Sequence, residues 1–364
     1  MVAAVLLSAA CSDDDDSTAT SATTATVAPA TTTTPVMTVP ATTVAATAAP
    51  PTPESTAVPS TVLTAPVASA APQCATLAGG LTETTLNAGG VEHAVRIYVP
   101  SSFAGSPLPV VIDWHGLGST GPQQAMYSDY ETVAEEEGFI VVHPTGIADA
   151  PGGANSWQLF ATPAGERDDL AFAGALIGEL TANWCADPAR VYSTGMSNGG
   201  FFTARLICEM ADRIAAAVSV AGTYHPESCD PARDVPYMAI HGTQDAVVPY
   251  LGGESVLDGG GSDADVRVFF EQVMPEEFAE FAADTGCDVT TVDTNVGNDV
   301  IQHAYTGCDG DTPMIFDEVR GGGHTWPSSP LSRFTEGALG YTTHDVDATR
   351  DGWAFMSQFT RTGS

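Results

Sequence analysis

A serine between two glycines follows a strand-like segment near the middle of the chain. The sequence reads Gly-Met-Ser-Asn-Gly over residues 195–199, directly after residues 189–193. A strand that enters so tight a turn leaves no room for side chains at the flanking positions, and it presents the central hydroxyl in a strained, exposed conformation. The pattern therefore predicts a nucleophile elbow with Ser197 at its tip.

A carboxylate and an imidazole follow later, each after an apolar run. Asp245 comes after residues 235–240, and His324 lies in a glycine-rich loop after residues 314–316. Taken alone, Asp245 is typical of a turn residue and His324 of an ordinary loop histidine. Together with Ser197 they give the chain order serine, acid, histidine, which is the order of a triad in an α/β hydrolase. We therefore predict that these three residues form a catalytic relay.

Two backbone N–H groups complete the predicted site. The segment His-Gly-Leu-Gly-Ser at 115–119 follows the apolar run 109–114, where this fold supplies its second oxyanion donor. We assign the donors to the N–H of Leu117 and to that of Asn198, at the start of a helix whose dipole assists. Because only the backbone acts in this role, we expect the side chains of both residues to matter less than their placement.

Two tryptophans are candidates for substrate binding. Trp157 ends the loop 152–157, and Trp326 stands two residues after His324. Either indole could meet a substrate ring or acyl chain, and either is equally typical of a buried core residue. We predict a substrate contact for both, with burial in the core as the alternative.

Strand and helix patterns alternate along residues 74–364. The pattern predicts a hairpin over 82–99, buried strands over 109–114 and 139–143, helices over 127–137 and 169–184, and a closing helix that contains residues 354–359. This alternation is typical of the α/β class, here the α/β-hydrolase fold, with a mostly parallel sheet and helices on both faces. In such a sheet the catalytic groups lie at the carboxyl ends of the strands.

Composition divides the chain near residue 73. Residues 1–16 hold a short apolar run, small residues before Cys11 that resemble a lipoprotein cleavage site, and an acidic run. Residues 17–73 are almost entirely Thr, Ala, Pro, Val and Ser, a composition that predicts a disordered linker. We therefore expect an exported catalytic domain at 74–364, either lipid-anchored through Cys11 or released after a plain secretory signal.

The chain is strongly acidic. Its formal net charge is −34, and all 11 basic residues are arginines. Such a surface repels phosphate backbones, so we expect no nucleic-acid partner and expect neutral esters rather than polyanionic substrates. Solubility in salty surroundings explains the charge equally well. We expect a monomer that meets a membrane only through a lipid anchor.

Six cysteines remain beyond Cys11. An even number in an exported chain predicts disulfides, although six cysteines allow fifteen connectivities. Cys287 and Cys308 bracket a predicted hairpin at 289–305, which makes them the first pair. The complete set that we favour is Cys287–Cys308, Cys208–Cys229 and Cys74–Cys185. Because no CxxC pair or His/Cys cluster occurs in the sequence, we expect no metal and no cofactor.

Five segments resemble the secreted poly(3-hydroxybutyrate) depolymerase and feruloyl esterase group of α/β hydrolases, similar to carbohydrate esterase family 1. They are 114–119, 168–172, 191–200, 241–245 and 321–327. The resemblance covers most of residues 74–330, and it implies Ser197, Asp245 and His324 as the triad of an extracellular ester hydrolase. It departs at Leu117, where relatives often place a cysteine. We find no appended polymer-binding domain in the sequence, which favours soluble or amorphous esters.

The expected function is therefore that of a serine carboxylic-ester hydrolase, secreted or lipid-anchored. Its expected substrates are polyhydroxybutyrate-type polyesters or their oligomers, and the alternative is a feruloyl or acetylxylan esterase acting on plant polysaccharide. A noncatalytic binding protein of the same fold is a further alternative, which the intact order of serine, acid and histidine argues against. A peptidase also stays open, because amide cleavage uses the same groups.

Overall fold

The computed structural model of the protein describes residues 74, 77–88, 90–148, 152–160, 167–226, 228–257 and 270–361. The expected signal segment 1–16, its Cys11 and the expected linker 17–73 lie outside the described residues. No helix in the described part of the chain is both long and apolar enough to cross a membrane.

The secondary structure alternates between strands and helices, as expected. The strands are β1 Gly80–Ala88, β2 Val91–Val99, β3 Leu108–Trp114, β4 Ile140–Pro144, β5 Ile147–Ala148, β6 Asn155–Ser156, β7 Ala186–Met196, β8 Ala216–Val220, β9 Tyr237–Gly242, β10 Thr291–Val296, β11 Val300–Tyr305 and β12 Met314–Val319. The helices are α1 Gly121–Ser128, α2 Tyr130–Glu137, α3 Asp169–Asn183, α4 Asn198–Glu209, α5 Met274–Asp284, α6 Ser332–Leu339 and α7 Arg350–Met356.

One large sheet organises these elements. Its strand order is β1-β2-β4-β3-β7-β8-β9-β12-β11-β10, while β5 and β6 form a separate small ladder. The six central strands, from β4 to β12, are parallel to one another. The two hairpins expected over 82–99 and 289–305 form the two edges, β1–β2 and β10–β11, and each pairs antiparallel with the outermost central strand. The carboxyl ends of the central strands therefore share one edge of the sheet, and the order is that of an α/β hydrolase.

The sheet separates two hydrophobic clusters, one on each face. On one face, Trp114 and Phe202 pack with apolar residues of α3, α4 and α5. On the other, Tyr192 and Trp353 pack with residues of α2 and α7. Because successive side chains of a strand point to opposite faces, the nearly continuous apolar run expected for β3 contributes side chains to both clusters.

Two expected helices have different bounds in the structure. The helix expected over 127–137 is two helices, because Asp129 adopts a left-handed conformation with φ of 59° and ends α1 before α2 begins. The closing helix runs from Arg350 to Met356, so residues 354–356 lie in it and residues 357–359, which were expected in it, do not. Trp353 and Met356, nearly one turn apart, both pack into the core, and this packing brings the earlier residues into the helix.

Three disulfides tie the domain together. The structure contains Cys74–Cys185, Cys208–Cys229 and Cys287–Cys308, which are the three pairs expected from the sequence. The last of these closes the base of the β10–β11 hairpin. The first joins residue 74 to the residue before β7, across 111 positions of chain.

Candidate active site

Ser197 occupies the sharp turn between β7 and α4. Its φ and ψ are 56° and −122°, a conformation that is strained for any residue other than glycine. The N–H of Ser197 donates to the carbonyl of Val220 at 2.8 Å. The neighbouring strand β8 thus holds the strained residue in place, and the hydroxyl points from a partly exposed position at the carboxyl edge.

The glycines on either side of Ser197 are required by close backbone contacts. A Cβ at Gly195 would lie 2.5 Å from the carbonyl oxygen of Gly199. A Cβ at Gly199 would lie 2.0 Å from the carbonyl oxygen of Trp114. Both distances are far inside van der Waals contact, so the elbow can pass between β3 and α4 only with glycine at these positions. This is the geometry that the sequence pattern predicted.

Asp245 and His324 meet through a direct hydrogen bond. The Nδ1 of His324 lies 2.8 Å from Oδ2 of Asp245, and both side chains are buried. Asp245 stands three residues after β9 and His324 five residues after β12. Since β9 and β12 pair in parallel, their carboxyl ends are adjacent, and this adjacency brings together two residues that are 79 positions apart.

The charge of Asp245 is stabilised by several donors. Burial alone would raise the pKa of this carboxyl, but the His324 imidazole opposes it, and the pKa lies below its usual range. Oδ1 of Asp245 also accepts the N–H groups of Val247 and Val248, each at 2.8 Å. The carboxylate is therefore ionised, oriented and aimed at the histidine.

His241, the last residue but one of β9, holds the loop that carries Asp245. Its Nε2 donates to the carbonyl of Val248 at 2.9 Å and lies 3.5 Å from Oδ2 of Asp245. Burial lowers the pKa of His241 and favours the neutral ring. The side chain thus closes the loop on which Asp245 sits.

The backbone around His324 is held by the end of α6 and the residues that follow it. The N–H of His324 donates to Leu339 at 2.7 Å, and that of Gly323 donates to Tyr341 at 2.9 Å. The hydroxyl of Tyr341 in turn donates to Asp299, at 2.6 Å, in the turn between β10 and β11. A chain of loop contacts therefore leads from the edge hairpin to the histidine.

The structure forms one of the two hydrogen bonds of the predicted relay. Ser197 and His324 lie at the same edge, after strands β7 and β12 of one parallel array. Within the described residues, Oγ of Ser197 and Nε2 of His324 make no hydrogen bond with each other. Asp245 and His324 are therefore hydrogen-bonded to each other, whereas the hydroxyl of Ser197 is not bonded to His324.

The two predicted oxyanion donors are both free. Neither the N–H of Leu117 nor that of Asn198 donates to a protein acceptor among the described residues. The loop that carries Leu117 passes directly beside the serine, because a Cβ at Gly116 would lie 3.3 Å from the Cβ of Ser197. Two unused N–H groups next to a partly exposed serine hydroxyl are an arrangement that could stabilise an oxyanion.

The buried side chain of His115 holds the loop that carries Leu117. Its Nδ1 lies 2.7 Å from the carbonyl of Gly116, and its Nε2 lies 2.9 Å from the N–H of Gly146. These partners assign the proton to Nδ1, because Nε2 must accept from a backbone N–H. Burial lowers the pKa of His115 to about 4, so the ring stays neutral near pH 7 and keeps both bonds.

The predicted substrate contact of Trp157 is wrong. Its side chain is 2% exposed and packs in the core against Trp114, Phe172 and Phe202. The indole N–H donates to the carbonyl of His115 at 3.0 Å, so the ring faces inward. The core alternative holds for this residue.

The predicted substrate contact of Trp326 is also wrong. This indole is 1% exposed, and its N–H donates to the hydroxyl of Thr349 at 2.9 Å. The ring packs edge-on against Tyr130, on the face of the sheet opposite Trp157. Burying a tryptophan with its N–H satisfied removes a large apolar surface from water, which explains both placements.

The side chain of Asn198 has a role that the sequence did not indicate. Its Oδ1 accepts the N–H of Trp157 at 2.6 Å, and its Nδ2 donates to the carbonyl of the same residue at 3.1 Å. The expectation that this side chain matters less than the backbone placement of Asn198 stays a prediction, although the side chain binds the loop that supports residues 115–118. Its partner lies 41 positions upstream, and no local pattern marks such a contact.

One group of potential metal ligands occurs among the described residues, at His225, Cys229 and Asp284. The sulfur of Cys229 is bonded to Cys208, so it cannot serve as a thiolate ligand. The nitrogens of His225 already face Asp284 at 2.7 Å and Glu280 at 3.4 Å. We assign this cluster no metal-binding role.

The strand order of the sheet, the elbow at Ser197 and the hydrogen bond between Asp245 and His324 together define the fold of this chain as that of an α/β hydrolase. No protein-family model matches it. It is 31% identical to feruloyl esterase B of Piromyces equi over 236 residues, which cover 63% of this chain and 42% of that protein. It is 30% identical to the bifunctional acetylxylan esterase/xylanase XynS20E of Neocallimastix patriciarum, over 46% of this chain and 24% of that protein.

A third relative matches over a longer range. Feruloyl esterase D of Neurospora crassa is 25% identical over 292 residues, which cover 78% of this chain and 88% of that protein. The chain spans less than half the length of the first two relatives. It is thus similar to the feruloyl esterase group, which confirms that part of the resemblance seen in the sequence. The poly(3-hydroxybutyrate) depolymerase part stays a prediction.

Proposed function

We propose that this chain is a serine carboxylesterase with Ser197 as nucleophile, His324 as general base and Asp245 as the residue that orients the base. The observation that carries the proposal is the 2.8 Å hydrogen bond between Asp245 and His324. That bond places the proton on Nδ1 of the imidazole, so Nε2 is left with the lone pair that a base needs.

The reaction follows from these roles. Oγ of Ser197 attacks the ester carbonyl while Nε2 of His324 takes the hydroxyl proton. The negative charge on the carbonyl oxygen is stabilised by the N–H groups of Leu117 and Asn198. The tetrahedral intermediate then expels the alcohol, which receives its proton from His324. Water repeats the sequence on the acyl-enzyme and releases the acid.

The proposed role does not require a hydrogen bond between Ser197 and His324 before substrate binds. In ligand-free active sites the catalytic hydrogen bonds are often long, and they shorten when the substrate excludes water. Asp245 is buried and hydrogen-bonded, so His324 is already oriented before substrate arrives. We therefore expect only a small adjustment of Ser197 or His324 on binding.

The substrate class that we favour is an aromatic or acetyl ester of plant polysaccharide. The names of the relatives, feruloyl esterase and acetylxylan esterase, support this choice. The charge of −34 supports neutral esters over polyanions. Polyhydroxybutyrate-type polyester is the second candidate, supported by the Gly-Gly-Gly-His-Thr-Trp-Pro segment at 321–327.

We further propose that residues 74–364 act outside the reducing cytosol. Three disulfides support an oxidising compartment, because such bonds persist in exported proteins. Tethering through a lipid on Cys11, with residues 17–73 as the linker, is part of the same proposal. Mass analysis of the protein recovered from membranes would detect the lipid.

The nucleophile is tested by Ser197→Ala. The variant should fold normally and lose at least about 10⁴-fold in the rate of p-nitrophenyl acetate hydrolysis. A fluorophosphonate should label the native protein at Ser197 and leave the variant unlabelled. Ser219→Ala, which removes a buried hydroxyl from the neighbouring strand β8, is the matched control and should keep its activity. Activity retained in Ser197→Ala would refute the proposal.

The substrate class is tested by measuring three esters side by side. We expect release of ferulate from methyl ferulate or of acetate from acetylated xylan, and slower attack on amorphous polyhydroxybutyrate. Faster attack on the polyester would replace the favoured substrate by the second candidate. Absence of turnover on every ester, with the fold intact, would favour a binding protein instead.

A further inference from the structure

We infer that the side chains of Asn198 and Trp157 form a brace that positions the two N–H donors of the oxyanion hole relative to each other. The brace is the path from the Asn198 amide, through Trp157, to the carbonyl of His115. This role presupposes the proposed serine-esterase function and assigns two positioning residues to it. Neither side chain touches the substrate.

The two donors stand on separate parts of the chain. Asn198 is the first residue of α4, so the position of its N–H is fixed by the elbow. The N–H of Leu117 lies in a turn after β3, on a residue whose side chain is exposed. Both must point at one oxygen atom, at about 2.7–3.1 Å, for the transition state to be stabilised. Something must therefore hold the turn at a set distance from the elbow.

The first link of the brace joins the elbow to Trp157. The amide of Asn198 accepts from the N–H of Trp157 at 2.6 Å and donates to its carbonyl at 3.1 Å. Two bonds between one planar amide and one residue fix both distance and orientation. The same residue that supplies one donor by its backbone therefore holds Trp157 by its side chain.

The second link joins Trp157 to the oxyanion turn. The indole N–H donates to the carbonyl of His115 at 3.0 Å. The ring cannot move freely, because it stacks on Phe202 with centroids 5.5 Å apart and meets the edge of Trp114 at 4.9 Å. A displacement at the elbow is thus transmitted to the residue before Gly116.

The last link sets the direction of the Leu117 N–H. His115 donates from Nδ1 to the carbonyl of Gly116 at 2.7 Å. The carbonyl of Gly116 and the N–H of Leu117 belong to one planar peptide unit and point in opposite directions. Fixing the carbonyl therefore fixes the donor. Beyond the turn, Gly118 donates to Asn155 at 2.7 Å, two residues before Trp157, so both sides of the turn rest on the same segment.

Steady-state kinetics separate positioning from simple core packing. Asn198→Ala and Trp157→Phe each break one link, and each should lower kcat for p-nitrophenyl acetate by about ten- to a hundredfold, with KM changed by less than about twofold. The affinity for phenylboronic acid, which forms a tetrahedral adduct with a serine, should fall by the same factor as kcat. The kcat of the double variant should be no lower than that of the more impaired single variant, because the two links act in series.

Trp353→Phe is the matched control. It makes the same indole-to-phenyl truncation in the cluster on the opposite face of the sheet. It should lower the melting temperature as Trp157→Phe does and leave kcat and boronate affinity unchanged. If Trp157→Phe does not fold, Asn198→Ala still tests the brace, since Asn198 is partly exposed and contributes no apolar core atoms.

The possible results distinguish the brace from the proposed function. If Ser197→Ala is inactive while Asn198→Ala keeps kcat and boronate affinity, the brace is refuted and the esterase proposal stands. A rise in KM with unchanged kcat would also refute the brace, because it would indicate a substrate contact. If Ser197→Ala keeps its activity, the proposed function is refuted, and the brace, which presupposes it, is refuted with it.

Discussion

The two halves of the candidate site are held in different ways. The nucleophile half, which consists of Ser197 with residues 115–118 and 155–157, is tied by side chains that reach from the aromatic core to the backbone. The acid–base half, which consists of the loops of Asp245 and His324, is tied by backbone bonds between loops. Gln244, for example, donates to Gly322 at 2.8 Å.

This difference predicts different responses to damage. In the nucleophile half the catalytic geometry and the core share the same atoms, so a change there should cost stability and activity together. In the acid–base half the supporting loops can move while the sheet stays folded, and the rate should suffer more than the stability. The two halves thus differ in how one sheet edge positions the groups of the candidate site.

The largest effect expected in the acid–base half is that of Asp245→Asn on the rate. The amide nitrogen would face Nδ1 of His324 and favour the tautomer with the proton on Nε2, which cannot accept the serine proton. We expect kcat to fall by about 10³- to 10⁴-fold with a modest change in melting temperature. Hydrolysis of p-nitrophenyl acetate and thermal unfolding measure the two quantities. A loss below tenfold would show that the tautomer is set by something other than Asp245.

Next in size is the contrast between Gly199→Ala and Gly323→Ala. The added Cβ would lie 2.0 Å from the carbonyl oxygen of Trp114 in the first variant and 2.1 Å from that of Leu339 in the second. Trp114 belongs to a central strand, so Gly199→Ala should lower the free energy of unfolding by about 3 kcal/mol or more. Leu339 ends a short helix that has one buried residue among those described, so Gly323→Ala should lose less stability while kcat falls about a hundredfold.

Urea denaturation and kcat per folded molecule test this contrast. Gly178→Ala is the control, because a Cβ at Gly178 in α3 meets nothing within 4 Å. It should raise the free energy of unfolding by about 0.5–1 kcal/mol. Equal destabilisation by Gly199→Ala and Gly323→Ala, with normal kcat in the folded fraction of both, would remove the distinction between the halves.

The smallest expected effect concerns Asp317, a buried carboxyl on β12 that takes no part in the relay. Burial raises the pKa of Asp317 to about 6, although Gln302 donates a hydrogen bond to it. Between about pH 4 and pH 6 the folded state then binds more protons than the unfolded state, so this group's contribution to stability is lost as the pH rises. Above about pH 6 the buried charge destabilises the fold.

Asp317→Asn should therefore be more stable than the native protein near pH 8, by about 2 kcal/mol, and the difference should shrink toward pH 4. The amide oxygen can still accept from Gln302, so packing is kept. Its kcat near pH 8 should equal that of the native protein, which makes this variant the matched control for Asp245→Asn. A native protein as stable as the variant at both pH values would contradict the assigned pKa.

Local sequence was sufficient for the parts of the site that depend on the backbone. The elbow at 195–199 was predictable because only glycine tolerates the close contacts on either side of Ser197. The order of strands and helices was predictable from the spacing of apolar residues, and this order already implied that Asp245 and His324 would share an edge with Ser197. Their hydrogen bond then required only that β9 and β12 be neighbours.

Tertiary structure alone decided which way the larger side chains face. The sequence could not distinguish a buried from a substrate-facing role for Trp157 and Trp326, because both lie in loops without periodicity. The structure buries both rings and gives each indole N–H an acceptor. It also pairs the Asn198 amide with a residue 41 positions away. A pattern in the chain records backbone requirements, which are local, whereas the partner of a side chain depends on which segments the folded sheet brings together.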